Sequence, residues 1–175
     1  AEHFKEGESF YSYSPYVREM NIWFDLVDEV QIVAPLKRCK SRIDISYNRK
    51  NLSFKTLKSI EFTSFRKIIS SLIRIPGILY RIFSTMSHAD HIHIRCPGNI
   101  GMLASIVQIF FPGKIKTIKY AGNWDPKSIQ PWTYRLQKWI LNNECLTRNA
   151  KVLVYGEWPN QGKNIMPFFT SSYSN

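Results

Sequence analysis

ADHIHIRCPGNIGMLASIVQIFFPGKIKTIKYAGNWD, residues 89–125, decides the fold of this chain, because it holds two strand-to-loop junctions around one apolar segment. From His91 to Arg95 the apolar Ile92 and Ile94 alternate with polar residues, the period of a half-buried strand. Cys96-Pro97-Gly98-Asn99 breaks that run. Residues 100–111 are apolar almost all round, which predicts a buried helix, and a second strand follows Pro112-Gly113 over residues 114–120. Strand, loop, helix and strand make a βαβ unit. Its crossover is right-handed, and its loops lie at the carboxyl ends of the strands, where open α/β sheets bind ligands.

Outward from this core, Ser14-Pro15 predicts a helix start, with Ser as N-cap and Pro at the first helical position. Val17, Met20, Phe24 and Val27 then recur at helical spacing. Residues 29–34 read as a buried strand closed by Pro35, residues 36–56 as a loop with room for a short hairpin, and residues 57–62 as the next strand. Between 64 and 87, Phe65, Ile68, Ile69, Leu72, Ile75, Leu79, Ile82 and Phe83 define an amphipathic helix. Lys67, Arg74 and Arg81 recur every seven residues on one face of it, and Pro76-Gly77 is expected to kink or split it. A further helix is predicted from Asp125-Pro126 or Gln130-Pro131 through Trp132, Leu136, Trp139 and Ile140, and a last strand over 151–155. The tail beyond reads as a linker.

The chain has 175 residues, 44% of them hydrophobic, enough for one domain with a real core and too apolar for disorder. No window approaches the roughly 18 uninterrupted apolar residues of a spanning helix. Three cysteines, Cys39, Cys96 and Cys145, lack paired metal-type spacing; they read as reduced, buried thiols of a cytosolic protein without a zinc site. Residues 37–81 hold twelve Lys/Arg against Asp44 and Glu61, so they carry ten of the eleven net positive charges. Such a patch either attracts phosphate, as nucleic acid, anionic membrane or phospho-substrate, or is a solvated face.

Taken together, HIHIRCPGNIG (91–101), KYAGNW (119–124) and VYGEWP (154–159), with EHFKEG (2–7), the helix entry at Tyr11 to Tyr16 and DEVQIVAP (28–35), resemble the N-terminal domain of bacterial GT-B glycosyltransferases of the group 1, GT4-like family. The resemblance implies an α/β fold: a Rossmann-like, doubly wound parallel sheet with helices on both faces. It implies an acceptor-side domain over residues 1–156, with residues 157–175 leading toward a C-terminal domain that holds the nucleotide-sugar. In a doubly wound sheet the first strand is central, yet only residues 1–4 precede the first loop. The first strand is therefore expected to be largely missing, either because the chain starts a few residues inside the natural sequence or because another segment fills the slot.

The activity implied is retaining, nucleotide-sugar-dependent glycosyl transfer without a metal or other cofactor, the fragment alone being inactive. A glycan or lipid-linked acceptor of cell-surface polysaccharide synthesis would receive the sugar at the cytoplasmic face of the inner membrane, and no nucleic acid is involved. Lys5 and Gly7 fall on the loop that faces the departing diphosphate, where a glycine lets backbone N–H groups approach. Arg95, Gly98, Asn99 and Gly101 stand at a helix N-terminus, which suits an anionic or hydroxyl-rich ligand, with Arg95 as a forked donor. Gly122, Asn123 and Trp124 end the next strand: an indole face for sugar C–H groups and an amide for hydroxyls. His93 and Arg95 are the candidates for catalysis, and Lys67, Arg74 and Arg81 for a membrane-facing surface.

Other classes compete. A dinucleotide-binding oxidoreductase lacks its G-x-G-x-x-G after an early strand. A nucleic-acid-binding module would use the basic segment but has no helix-turn-helix, zinc or RRM motif. A non-catalytic basic module at a membrane surface needs only the amphipathic helix.

Overall fold

The computed structural model describes residues 1–58, 60 and 65–168, with side chains throughout except at 65–70. It is a mixed α/β protein with parallel sheets and helices, and its contacts divide it into two units, Ala1–Ile78 and Leu79–Asn175.

In the first unit, β1 (Phe4–Glu6) and β2 (Ser9–Tyr13) form an antiparallel hairpin. Glu6 pairs with Ser9, so Gly7 and Glu8 make a two-residue turn, and Gly7 supplies the positive φ (58°) that such turns require. The helix α1 (Ser14–Phe24) follows, one residue earlier than capping predicts: Tyr13 is its N-cap and Ser14 its first residue. Tyr16, Val17, Met20 and Phe24 face inward, whereas Val27 lies past the helix end and is exposed.

Next come β3 (Val30–Pro35), β4 (Asp44–Ser46) and β5 (Leu52–Leu57). The strand expected over 57–62 is instead β5, inside the expected loop; positions 59, 61 and 62 lie outside the described residues. Leu52 and Phe54 carry the inward alternation, and Phe54 stacks on Phe10 at 4.5 Å. β5 pairs parallel with β3, while β4 extends the hairpin sheet to the order β1-β2-β4. The core gathers Phe10, Tyr16, Val17, Met20, Phe24, Ile32 and Tyr47, each large side chain worth about 1.5–3 kcal/mol of burial. His3 is buried among them, its Nε2 2.7 Å from the Tyr47 hydroxyl. His3 also bridges Leu36 in parallel fashion, at the end of β3.

Part of the basic segment has structural work here. Lys37 pairs with the buried Asp44 at 2.5 Å. Burial alone would raise the Asp44 carboxyl; bonds from Lys37 and the Ser41 amide outweigh it and hold the group below its usual range. Arg49 forks across the Phe24, Val27 and Asp28 carbonyls, satisfying acceptors left open at and beyond the end of α1.

α2 (Phe65–His88) spans the boundary between the units as one helix through Pro76, so the expected split does not occur. In the second unit β6 (His91–Cys96), α3 (Asn99–Val107) with a 3₁₀ turn (Gln108–Phe110), β7 (Ile115–Tyr120), α4 (Trp132–Asn142), β8 (Ala150–Val154) and β9 (Ile165–Pro167) follow. The four strands form one parallel sheet in sequential order, β6-β7-β8-β9. The strands of the whole chain thus lie in three sheets among the described residues, where a single doubly wound sheet was expected.

Two expectations are corrected in this unit, the tail and α3. The tail from 157 is more than a linker, because Ile165–Pro167 pair with β8 and add a fourth strand. α3 is not buried all round: Gly101, Ala104, Ser105 and Val107 face inward, the larger Ile100, Met102, Leu103 and Ile106 are half-buried, and Phe110 is exposed. α4 buries Gln137, Ile140 and Leu141, leaving Trp132 and Trp139 outward. Small and polar side chains face the sheet for a steric reason: α3 sits so close to β6 that a Cβ on Gly101 would lie 2.5 Å from the Arg95 carbonyl oxygen.

Candidate functional site

The loops that follow β6 and β7 leave the same edge of the parallel sheet, because the two strands pair from His91 opposite Ile115 to Cys96 opposite Tyr120. The pairing runs one step further, with the Ala121 amide donating to the Cys96 carbonyl at 2.7 Å. Beyond it the loops touch: a Cβ on Gly122 would meet the Pro97 ring at 3.0 Å. The structure therefore brings Arg95, Gly98, Asn99 and Gly101 together with Gly122 and its neighbours at adjacent strand ends.

Gly98 is the N-cap of α3, with φ 145°, a conformation that L side chains rarely adopt. No side-chain hydrogen bond caps the helix and its first turn has no acid, so no carboxylate there offsets its positive end. Gly101 has a packing role against Arg95. The exposed Asn123 accepts from the Asp125 amide through its carbonyl oxygen at 2.8 Å. Trp124 is 6% exposed and meets Tyr120 edge-to-face at 5.0 Å, so the open stacking face expected of it is largely covered.

His93 and Arg95 stand on one face of β6, and Arg95 is in register with Lys119 of β7. Both ring nitrogens of His93 are shielded from solvent. Burial first, then His91, Arg95 and Lys119, pushes its pKa down to about 4, so the ring is neutral at physiological pH and holds no proton to give as an acid. Lys119 is itself buried, its ammonium 4.3 Å from the centre of the Phe168 ring.

Cys96 is buried as expected, but Cys39 and Cys145 are exposed, which corrects the reading of three buried thiols: both lie in loop segments. Burial pushes the Cys96 thiol up to about 12 against the pull of its Ser105 and Gln137 hydrogen bonds, so it is no nucleophile.

Lys5 lies on β1 and Gly7 in the β1–β2 turn, where the turn alone accounts for the glycine. Arg74 and Arg81 are exposed on α2, beside the exposed apolar Leu72, Ile73 and Tyr80; the Lys67 side chain lies outside the described residues. Among the described residues, no helix is long and apolar enough to cross a membrane, and no group of three or more His, Cys, Asp or Glu side chains is placed to hold a metal ion.

A pocket that sequence reasoning missed lies between α4 and the connection from β8 to β9. It encloses about 160 Å³ and is lined by Trp124, Trp139 and Trp158 together with Lys138, Asn142 and Gln161. These come from three separated segments, so no local motif announces them. The one partial signal is the tryptophan content, five in 175 residues. Compared with protein-family models, curated proteins and solved structures, the chain matches none.

Proposed function

We propose that this chain is the acceptor-side domain of a nucleotide-sugar-dependent glycosyltransferase of the two-domain GT-B type, group 1 and GT4-like, its parallel strands being those of a Rossmann-like, doubly wound fold. The observation that carries the reading is the joined pair of strand ends, where Ala121 bonds to Cys96 and Gly122 abuts Pro97. That edge joins an uncapped helix end to the Asn123 amide, with Arg95 near the end of β6 on the face opposite Cys96, donors suited to an acceptor bearing hydroxyls and a phosphate. Arg95 would hold the acceptor through paired N–H donors, with the α3 N-terminus and the Asn123 amide orienting its hydroxyls. His93, neutral and shielded, would shape the site without exchanging protons with bulk water. The donor itself would rest mainly on a second domain.

The exposed face of α2 supports an acceptor presented at a membrane. Ile73 and Tyr80 are each about three-quarters exposed, and the cationic Arg74 and Arg81 lie beside them, the composition of a helix that rests in the headgroup layer. The same observation favours a second reading, a membrane-surface module without catalysis. Assaying the full natural polypeptide for transfer of labelled sugar from a panel of nucleotide-sugars into a lipid extract separates the two. Transfer is expected; vesicle binding with no transfer from any donor would leave the second reading standing.

A further inference from the structure

The pocket between α4 and the β8–β9 connection shares Trp124 with the strand-end edge, whereas Arg95, Gly98 and Asn99 do not line it. We infer that it binds one uncharged pyranose ring of a glycan, a binding subsite that is independent of sugar transfer.

Three indoles line it; Trp139 and Trp158 offer ring surface, while Trp124 is nearly covered. Trp124 is anchored by its edge-to-face contact with Tyr120. Trp139 projects from α4 and is 59% exposed. Trp158 donates its Nε1–H to the Tyr155 carbonyl at 2.9 Å, and Gly156, at φ 80°, lies so close beneath it that a Cβ there would be 3.3 Å from the same nitrogen. A glycine at 156 thus serves both the backbone turn and the seating of the ring. Indole faces take the C–H surfaces of a sugar.

The polar groups are donors. Gln161 lines the pocket, although its Nε2 is shielded within the protein. Asn142 spends its carbonyl oxygen on the Gly162 amide at 2.9 Å and keeps its NH2. An amide donor beside indole surfaces matches a ring whose hydroxyls lie at its rim and whose C–H groups lie on its faces.

Charge argues against the other ligand of aromatic cages, a quaternary ammonium ion. No carboxylate lines the pocket, and the one charge there is the cationic Lys138, whose Nζ is turned onto the Trp124 and Asp125 carbonyls at 3.4 and 3.1 Å. Size sets the number of rings. At about 160 Å³ the pocket is roughly half the smallest of the ~300–1,000 Å³ sites that take drug-sized ligands, room for one ring.

The test is titration of the whole chain with the methyl glycosides of glucose, galactose, mannose and N-acetylglucosamine, and separately with tetramethylammonium, following the indole N–H resonances by NMR. At least one glycoside is expected to bind saturably with a millimolar constant, moving the Trp139 and Trp158 signals. Binding should weaken about tenfold in Trp139→Ala, whose exposed side chain can be removed without unfolding, the loss of one stacked ring. Lys151→Ala, at an exposed position on β8 outside the pocket lining, should leave it unchanged. Saturable shifts from none of the glycosides, equal binding by Trp139→Ala, or stronger shifts from tetramethylammonium would overturn the inference.

Discussion

The carbonyl oxygen of Arg95 lies 2.5 Å from where a Cβ on Gly101 would stand. That approach lets α3 begin directly over the end of β6, on the face that Cys96 occupies, while the Arg95 side chain leaves from the opposite face of the strand. Because the obstructing atom is backbone, it cannot swing away as a side chain would. Gly101→Ala is predicted to destabilise the protein by about 1–3 kcal/mol, the range for overpacking a tight site. Gly113→Ala is the control, with nothing within 4 Å of its added methyl. Denaturant midpoints of the two variants check the pair, and equal midpoints would refute the close packing.

Thiol chemistry should divide the three cysteines. Cys39 and Cys145 are exposed, whereas Cys96 is enclosed and its thiol is pushed up to about 12. An aromatic disulfide reagent at pH 8 is predicted to titrate two thiols in the native protein and the third only after denaturation.

Acid should weaken both units. Burial is the first cause in both histidines: it lowers His3 to about 3 and His93 to about 4, from 6.5. Both are neutral when folded, so below pH 6.5 the unfolded chain binds protons that the folded chain does not. The stability they hold is complete above pH 6.5 and is lost as pH falls toward those values, at about 1.4 kcal/mol per pH unit for each ring. Denaturation at pH 6.5 and pH 5.0 should differ by roughly 2 kcal/mol per histidine. His3→Gln should remove the share of the first unit.

Vesicle binding tests the α2 surface. Arg74 and Arg81 are each worth about 1 kcal/mol near an anionic membrane, so Arg74→Ala with Arg81→Ala should weaken binding to phosphatidylserine vesicles about thirtyfold. Binding should fade with added salt, and neutral vesicles should hold the protein poorly. Co-sedimentation reads both effects.

The β6–α3–β7 stretch was legible because local rules and tertiary structure agree there: Ile92 and Ile94 face inward from β6, and Gly98 breaks the chain where the helix must begin. β9 was not legible, since Ile-Met-Pro becomes a strand only by pairing with β8. The inward face of α3 misled for a related reason. Apolarity marks a helix as buried, but close approach chose Gly101 and Ser105 for the interface, and Gln137 of α4 donates to Ser105 and Cys96 there. The strand ends could be placed from sequence as two loops; their contact through Gly122 and Pro97 depends on strand register, which no local pattern states. Arg49 looked like one more charge in a basic run and is instead a clamp on three carbonyls.

The acceptor kinetics of Arg95→Ala in the full natural polypeptide test the central claim most directly. The account predicts that KM for the acceptor rises about tenfold or more, the loss of a charge-assisted hydrogen bond of about 1.5–3 kcal/mol, while KM for the nucleotide-sugar holds. An unchanged acceptor KM, with any loss confined to the nucleotide-sugar, would contradict it.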